Sequence, residues 1–270
     1  MKAIKSLLYP IIKKLLPLKY LEEPGRVYGF DREKMKSLEN KFKGERCFII
    51  GNGPSLNELD LNKIKDEYAF GVNAFFFKTD EMGYKPYFYC VEDTEVMNDN
   101  VDRINEYDCN YKFFPSLYKK FITNRKNTYF FNMNRSFYEP RSSYHEVPRF
   151  SKDCSERVYC GQSVTIINLQ LAHYLGFEKV YLIGMDFSYI IPDSAIVTGK
   201  DIESTEDDPN HFHPDYFGKG KKWHDPKLHN VLKSYQNCRE VYEADGRSIY
   251  NATVGGKLEV FERVDYNSLF

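Results

Sequence analysis

The residues best suited to do chemistry begin with a short string, Gly51-Asn52-Gly53-Pro54-Ser55-Leu56, set directly after the apolar run 47–50. Two glycines without Cβ atoms let backbone N–H groups come close to an anion, and Asn52 and Ser55 add side-chain donors. A bare Gly-x-Gly is also what a plain tight turn uses. The string lacks the third glycine of a dinucleotide fingerprint and the Gly-Lys-Ser/Thr of a P-loop. Its full spelling points to a phosphate-bearing ligand at the end of a first strand.

Two carboxylates stand at further strand ends. Asp186 follows the apolar run 180–183 and Gly184, where a carboxylate holds a ribose hydroxyl or a divalent metal, or caps a helix or turn. Asp93, preceded by Glu92, has the same readings. Among the histidines, His173 falls in an apolar helical pattern and reads as structural. His211 and His213 form a His-x-His pair with no third ligand at zinc spacing. His224 precedes a helical stretch and follows Gly-Lys-Gly-Lys-Lys, which makes it the candidate general base, with a solvated loop histidine as the plain alternative. Tyr189 and Tyr216 are candidates for donating to a departing phosphate, in a chain where most of the 22 tyrosines serve packing.

These groups need a scaffold. Apolar runs at 47–50, 68–72, 86–91 and 180–183 read as buried strands, with weaker ones at 111–114, 129–131 and 248–250. Helical patterns fall around 32–42, 162–175 and 226–243, and Gly176 closes the second of them. Strands alternating with helices predict an α/β, Rossmann-like and mainly parallel sheet flanked by helices. Ligands bind outside the carboxyl ends of such strands, where Asn52, Asn73, Asp93 and Asp186 fall. The segment 132–159 is read as looping over the sheet edge. The polar segment 192–223 shows no period of either kind and is read as an irregular lid, about 190–224. The division expected is a basic amphipathic segment, 1–25, and one catalytic domain, 26–270.

Composition narrows the partners. A net charge of −1 over 270 residues gives no reason to expect nucleic acid. Six cysteines without Cys-x2-Cys spacing and a start without a secretory signal pattern indicate a reducing cytoplasm. The first twenty residues hold Lys2, Lys5, Lys13, Lys14 and Lys19 between apolar groups and no acid. This suits a helix lying on the inner face of the cytoplasmic membrane, or one docked on its own domain or on a partner chain such as a second copy.

The strings Ile49-Ile50-Gly51-Asn52-Gly53-Pro54-Ser55-Leu56 and Tyr181-Leu182-Ile183-Gly184-Met185-Asp186-Phe187, with Asn73 after a strand, resemble the bacterial lipooligosaccharide sialyltransferases. They also resemble the broader group related to 6-hydroxymethylpterin diphosphokinase. The first resemblance implies a Rossmann-like GT-A variant that uses a CMP-activated sugar without a metal and transfers it to a glycan or glycolipid acceptor. It implies donor contacts from the 51–55 loop, Asn73, Ser163, Gly184 and Asn251, and a catalytic histidine at His224. This chain has Ser188 where that family has a tyrosine, with Tyr189 next to it. It has Glu92-Asp93 where the family has an asparagine. The acidic pair is more like the diphosphokinase branch, in which Asp93 and Asp186 would hold Mg²⁺-ATP. A nucleotide-binding module without catalysis is the third reading.

Overall fold

The computed structural model describes residues 15–199 and 201–270. Most of the basic N-terminal segment lies outside the described residues, and so does the expectation attached to it. Its described end contributes a short helix, Leu18–Glu22, with no buried residue. Among the described residues no helix is long and apolar enough to cross a membrane.

Eight strands make the central sheet: β1 (Arg46–Ile50), β2 (Ala69–Val72), β3 (Phe88–Cys90), β4 (Tyr111–Pro115), β5 (Thr128–Phe131), β8 (Lys179–Ile183), β12 (Ser248–Asn251) and β13 (Glu262–Arg263). Between them, β6 (Met133–Asn134) pairs with β7 (Val158–Tyr159), and β9 (Ile196–Thr198), β10 (Asp201–Glu203) and β11 (Lys222–His224) form a small antiparallel sheet. Every pairing in the large sheet is parallel. Both of its faces are covered, so its central strands are continuous apolar runs. Cys47 and Ile49 face one core with the helix Val164–Leu175, while Phe48 and Ile50 face the other.

Strand order fixes where a ligand fits. The sheet runs β13-β12-β8-β1-β2-β3-β4-β5, so the chain winds outward from β1 in one direction and later from β8 in the other. The reversal lies between β1 and β8, paired at Phe48 and Tyr181. That is the switch point of a doubly wound sheet. The fold expected from the sequence is the one found.

Several elements differ from expectation for local reasons. The helix expected over 32–42 stops at Arg32–Lys36. Beyond it, the N–H groups of Asn40, Phe42 and Gly44 bond to carbonyls of Tyr174, Leu175 and Gly176, and Asn40 turns left-handed at φ 53°. The end of a neighbouring helix supplies what further helical turns would have supplied. The lid is not wholly irregular, because it contains β9, β10 and β11. The long helix begins at Leu228 rather than 226, and β13 extends the sheet beyond the last strand expected.

Candidate functional site

Beyond the carboxyl ends of β1, β2, β3 and β8 lies a cleft of about 970 Å³. Gly51, Asn52, Gly53, Asn73, Asp93 and Ser163 line it, as do Gly184, Asp186, Tyr189, Tyr216 and His224. The structure thus brings together residues from six separate stretches of chain. Pro54, Ser55 and Asn251 are absent from the wall. Ser55 is buried, and Asn251 is fully buried with its side chain bonded to Leu258 O and Thr253 N–H, which shapes the loop after β12.

The glycine loop spends four of its N–H donors internally. Gly51 N–H bonds to Ile183 O at 2.7 Å and Gly53 N–H to Gly184 O at 3.0 Å. Ser55 gives its N–H to Asp186 Oδ1 and its hydroxyl to Asp186 Oδ2, at 3.2 and 2.7 Å, and Leu56 N–H goes to Gly53 O. A Cβ on Gly53 would overlap Asp186 Oδ2 and come within 2.8 Å of Gly184 O. The glycines therefore allow two strand ends to touch, with the N–H groups of Gly51, Gly53, Ser55 and Leu56 bonded within the protein. What the loop offers the cleft is Asn52, whose Nδ2 bonds to Val72 O and to Tyr216 Oη at 2.9 Å.

Asn73 and Asp93 also organise backbone. Asn73, left-handed at φ 50°, accepts the N–H of Glu92 at 3.1 Å and that of Asp93 at 3.4 Å. Asp93 caps the helix Thr94–Asp99 by accepting from Glu95 and Val96. Asp93 Oδ1 and both Asp186 carboxylate oxygens thus accept from the protein's own N–H and O–H groups. Among the described residues no group of three or more His, Cys, Asp or Glu is arranged around a metal position. Glu92 is half-buried in the cleft wall. Burial, helped by Asp93 and opposed by Arg135, pushes its carboxyl up to about 7.

One anchor for an anion is present. The helix Val164–Leu175, buried along its whole length, opens its N-terminus into the cleft through Ser163, which caps Thr165 N–H. Gln162 just before it is held at φ 71°, a conformation non-glycine residues adopt at some cost. Aligned N–H groups at such a terminus favour negative charge.

The lid root carries an arrangement that sequence reasoning missed. Asp208 Oδ2 lies 2.7 Å from His211 Nδ1, and His211 Nε2 lies 3.1 Å from the Tyr189 hydroxyl. Asp208 also accepts from the N–H groups of Asn210 and Phe217. Burial alone would raise this carboxyl, but the bonds from His211 and the two backbone groups outweigh it and hold Asp208 below its ordinary range. The His211 ring stacks on Tyr216 at 3.9 Å and 2°. Asn210 clamps the backbone of Ile190 with bonds of 2.7 and 2.8 Å. His224 stands elsewhere on the rim, half-exposed on β11, with Nδ1 3.1 Å from Asp201 Oδ1. His173 is structural: buried, bonded to Asp245 and lowered to about 4, first by burial and then by Arg247. The only sequence trace of the lid-root arrangement was the Asp208-x-x-His211 spacing.

The fold and cleft define a doubly wound α/β protein with a switch-point site. Residues 26–192, more than half of the chain, match the family model described as 6-hydroxymethylpterin diphosphokinase MptE-like, and the chain belongs to that family. The broader of the two groups named from the sequence is the one this match supports. No curated protein matches the chain. A solved structure, that of the MAf glycosyltransferase from Magnetospirillum magneticum AMB-1, is similar at 15% identity and a TM-score of 0.49, over 90% of this chain. This chain spans only 40% of that protein.

Proposed function

We propose that the protein is a glycosyltransferase that takes a sialic-acid-like or other nonulosonic sugar from a CMP-activated donor and passes it to a surface glycan or glycolipid. The observation that carries this reading is the helix N-terminus at Ser163, open to a switch-point cleft that holds few cations. Among the described residues the lining cations are Arg135 and Lys227, set against Glu92, Asp93, Glu95, Glu146, Asp186 and Asp225. Lys227 is already paired with Glu146 at 3.0 Å. Such a wall lacks the counter-charges that a bare triphosphate needs, and in the alternative below Mg²⁺ would have to supply them. The resemblance in the 51–56 and 184–187 strings adds the CMP donor and independence from metal. The basic N-terminal segment fits an acceptor presented at the inner membrane face.

The alternative, pyrophosphoryl transfer from Mg²⁺-ATP, draws on the family description and on Glu92-Asp93 in the cleft wall. A thermal-shift panel of CMP, CDP, UDP, GDP and ATP, each with and without Mg²⁺, separates the two. Ligand binding to the folded state raises the melting temperature by mass action. CMP alone should give the largest shift. A shift only with Mg²⁺-ATP overturns the glycosyl-transfer reading in favour of the second.

A further inference from the structure

Resting on the glycosyl-transfer reading, we propose that Tyr189 takes the acceptor's proton and relays its own to His211, the two acting together as the base of the transfer, with Asp208 as the positioning residue in one hydrogen-bonded relay. Asp208, held ionised by three N–H donors, requires a proton on His211 Nδ1. With its proton on Nδ1, the ring offers Nε2 as the acceptor 3.1 Å from the Tyr189 hydroxyl. Tyr189 and His211 both line the cleft, and Tyr189 is the more open of the two at 36% exposed; Asp208, 9% exposed, lies behind them.

In the step, the acceptor hydroxyl gives its proton to the Tyr189 oxygen while that oxygen gives its own proton to His211 Nε2. The acceptor oxygen forms its bond to the anomeric carbon. The bond from that carbon to the CMP phosphate oxygen breaks, and its electron pair stays on the phosphate. The imidazolium so formed lies against the Asp208 carboxylate until Tyr189 returns the surplus proton to solvent. A buried carboxylate stabilises that cation far more than a solvated one does. Among the described residues His224 pairs with Asp201, and both are about half exposed.

Packing alone would also explain a hydrogen-bonded lid root, so the test needs readouts that packing does not move. With CMP-N-acetylneuraminate as donor and CMP release as the signal, Tyr189→Phe, His211→Gln and Asp208→Asn should each lower kcat about 10²–10⁴-fold. Donor KM should stay within about twofold of the wild type. The Tyr189→Phe/His211→Gln double variant should fall little below either single one, because the two act as a unit. Nitrogen-15 NMR of the unliganded chain should show the His211 ring with its proton on Nδ1, and Tyr189→Phe should move the Nε2 resonance. A proton on Nε2 instead, a rise in KM at constant kcat, or effects that multiply would each overturn the base assignment alone. A wild-type chain that releases no CMP overturns the glycosyl-transfer reading together with it.

Discussion

The glycine loop 51–56 and the lid root 208–217 meet at the cleft wall and use their polar groups in opposite ways. They are tied together: Phe212 N–H bonds to Asn52 O, Asn57 Nδ2 bonds to Phe212 O, and Asn52 reaches the Tyr216 hydroxyl. The loop turns the N–H groups of Gly51, Gly53 and Ser55 toward Ile183, Gly184 and Asp186, so its distinctive spelling records a close approach of two strand ends. The lid root, without a distinctive spelling, keeps a run of donors and acceptors that ends on a phenol in the cleft. A motif rich in glycine can therefore mark packing, while the chemistry sits in residues that no motif announces.

Three substitutions sharpen or break this contrast beyond the relay variants. The largest effect should come from Gly53→Ala, whose methyl has no room between Asp186 and Gly184 O. Overpacking of this kind costs about 2–3 kcal/mol, to be read as a lower urea midpoint. A variant as stable as the wild type would show that the two strand ends are not in forced contact. Ser55→Ala should cost about 1–2 kcal/mol, because the Asp186 carboxylate loses a charged hydrogen bond. Its affinity for CMP, measured by calorimetry, should stay within about twofold of wild type. Weaker CMP binding at unchanged stability would return the loop to ligand duty. The smallest effect is expected of His224→Ala. Half-exposed and paired with the equally open Asp201, it should lower CMP release by less than about tenfold. Near-total loss there would transfer the base role from Tyr189 to His224.

Much of the fold was legible because buried parallel strands are short uninterrupted apolar runs, and 47–50 and 180–183 are such runs. Their pairing as neighbours at the switch point follows from winding in both directions from the centre. The strands β9, β10 and β11 were not legible, since three residues are too few to show a period of two. Neither was the early stop of the helix at Lys36, because its competing acceptors come from the end of a helix far along the chain. In the cleft, Asn52, Asp186 and Tyr189 were named from their strand-end positions. Asp208 and Asn210 were not, because a polar residue in a polar loop gives no sign of being buried until Ile202, Phe212 and Trp223 are seen to join the second core. Asn251 shows the reverse case, in which a strand-end position suggested a ligand contact and the side chain turned into its own loop.

The position of β8 in the sheet has a consequence for the order in which the molecule is made. β1 emerges early in synthesis, yet one of its two neighbours, β8, follows only after β2 to β5 and the whole excursion to Tyr159. Until then the N–H groups of Gly51 and Gly53 have no Ile183 or Gly184 carbonyl to meet. Pairings of such large sequence separation form slowly, since loop closure is paid before any contact repays it. Between the making of β1 and that of β8 the chain thus carries an open apolar edge at β1, the kind of exposed strand edge through which unfinished chains associate.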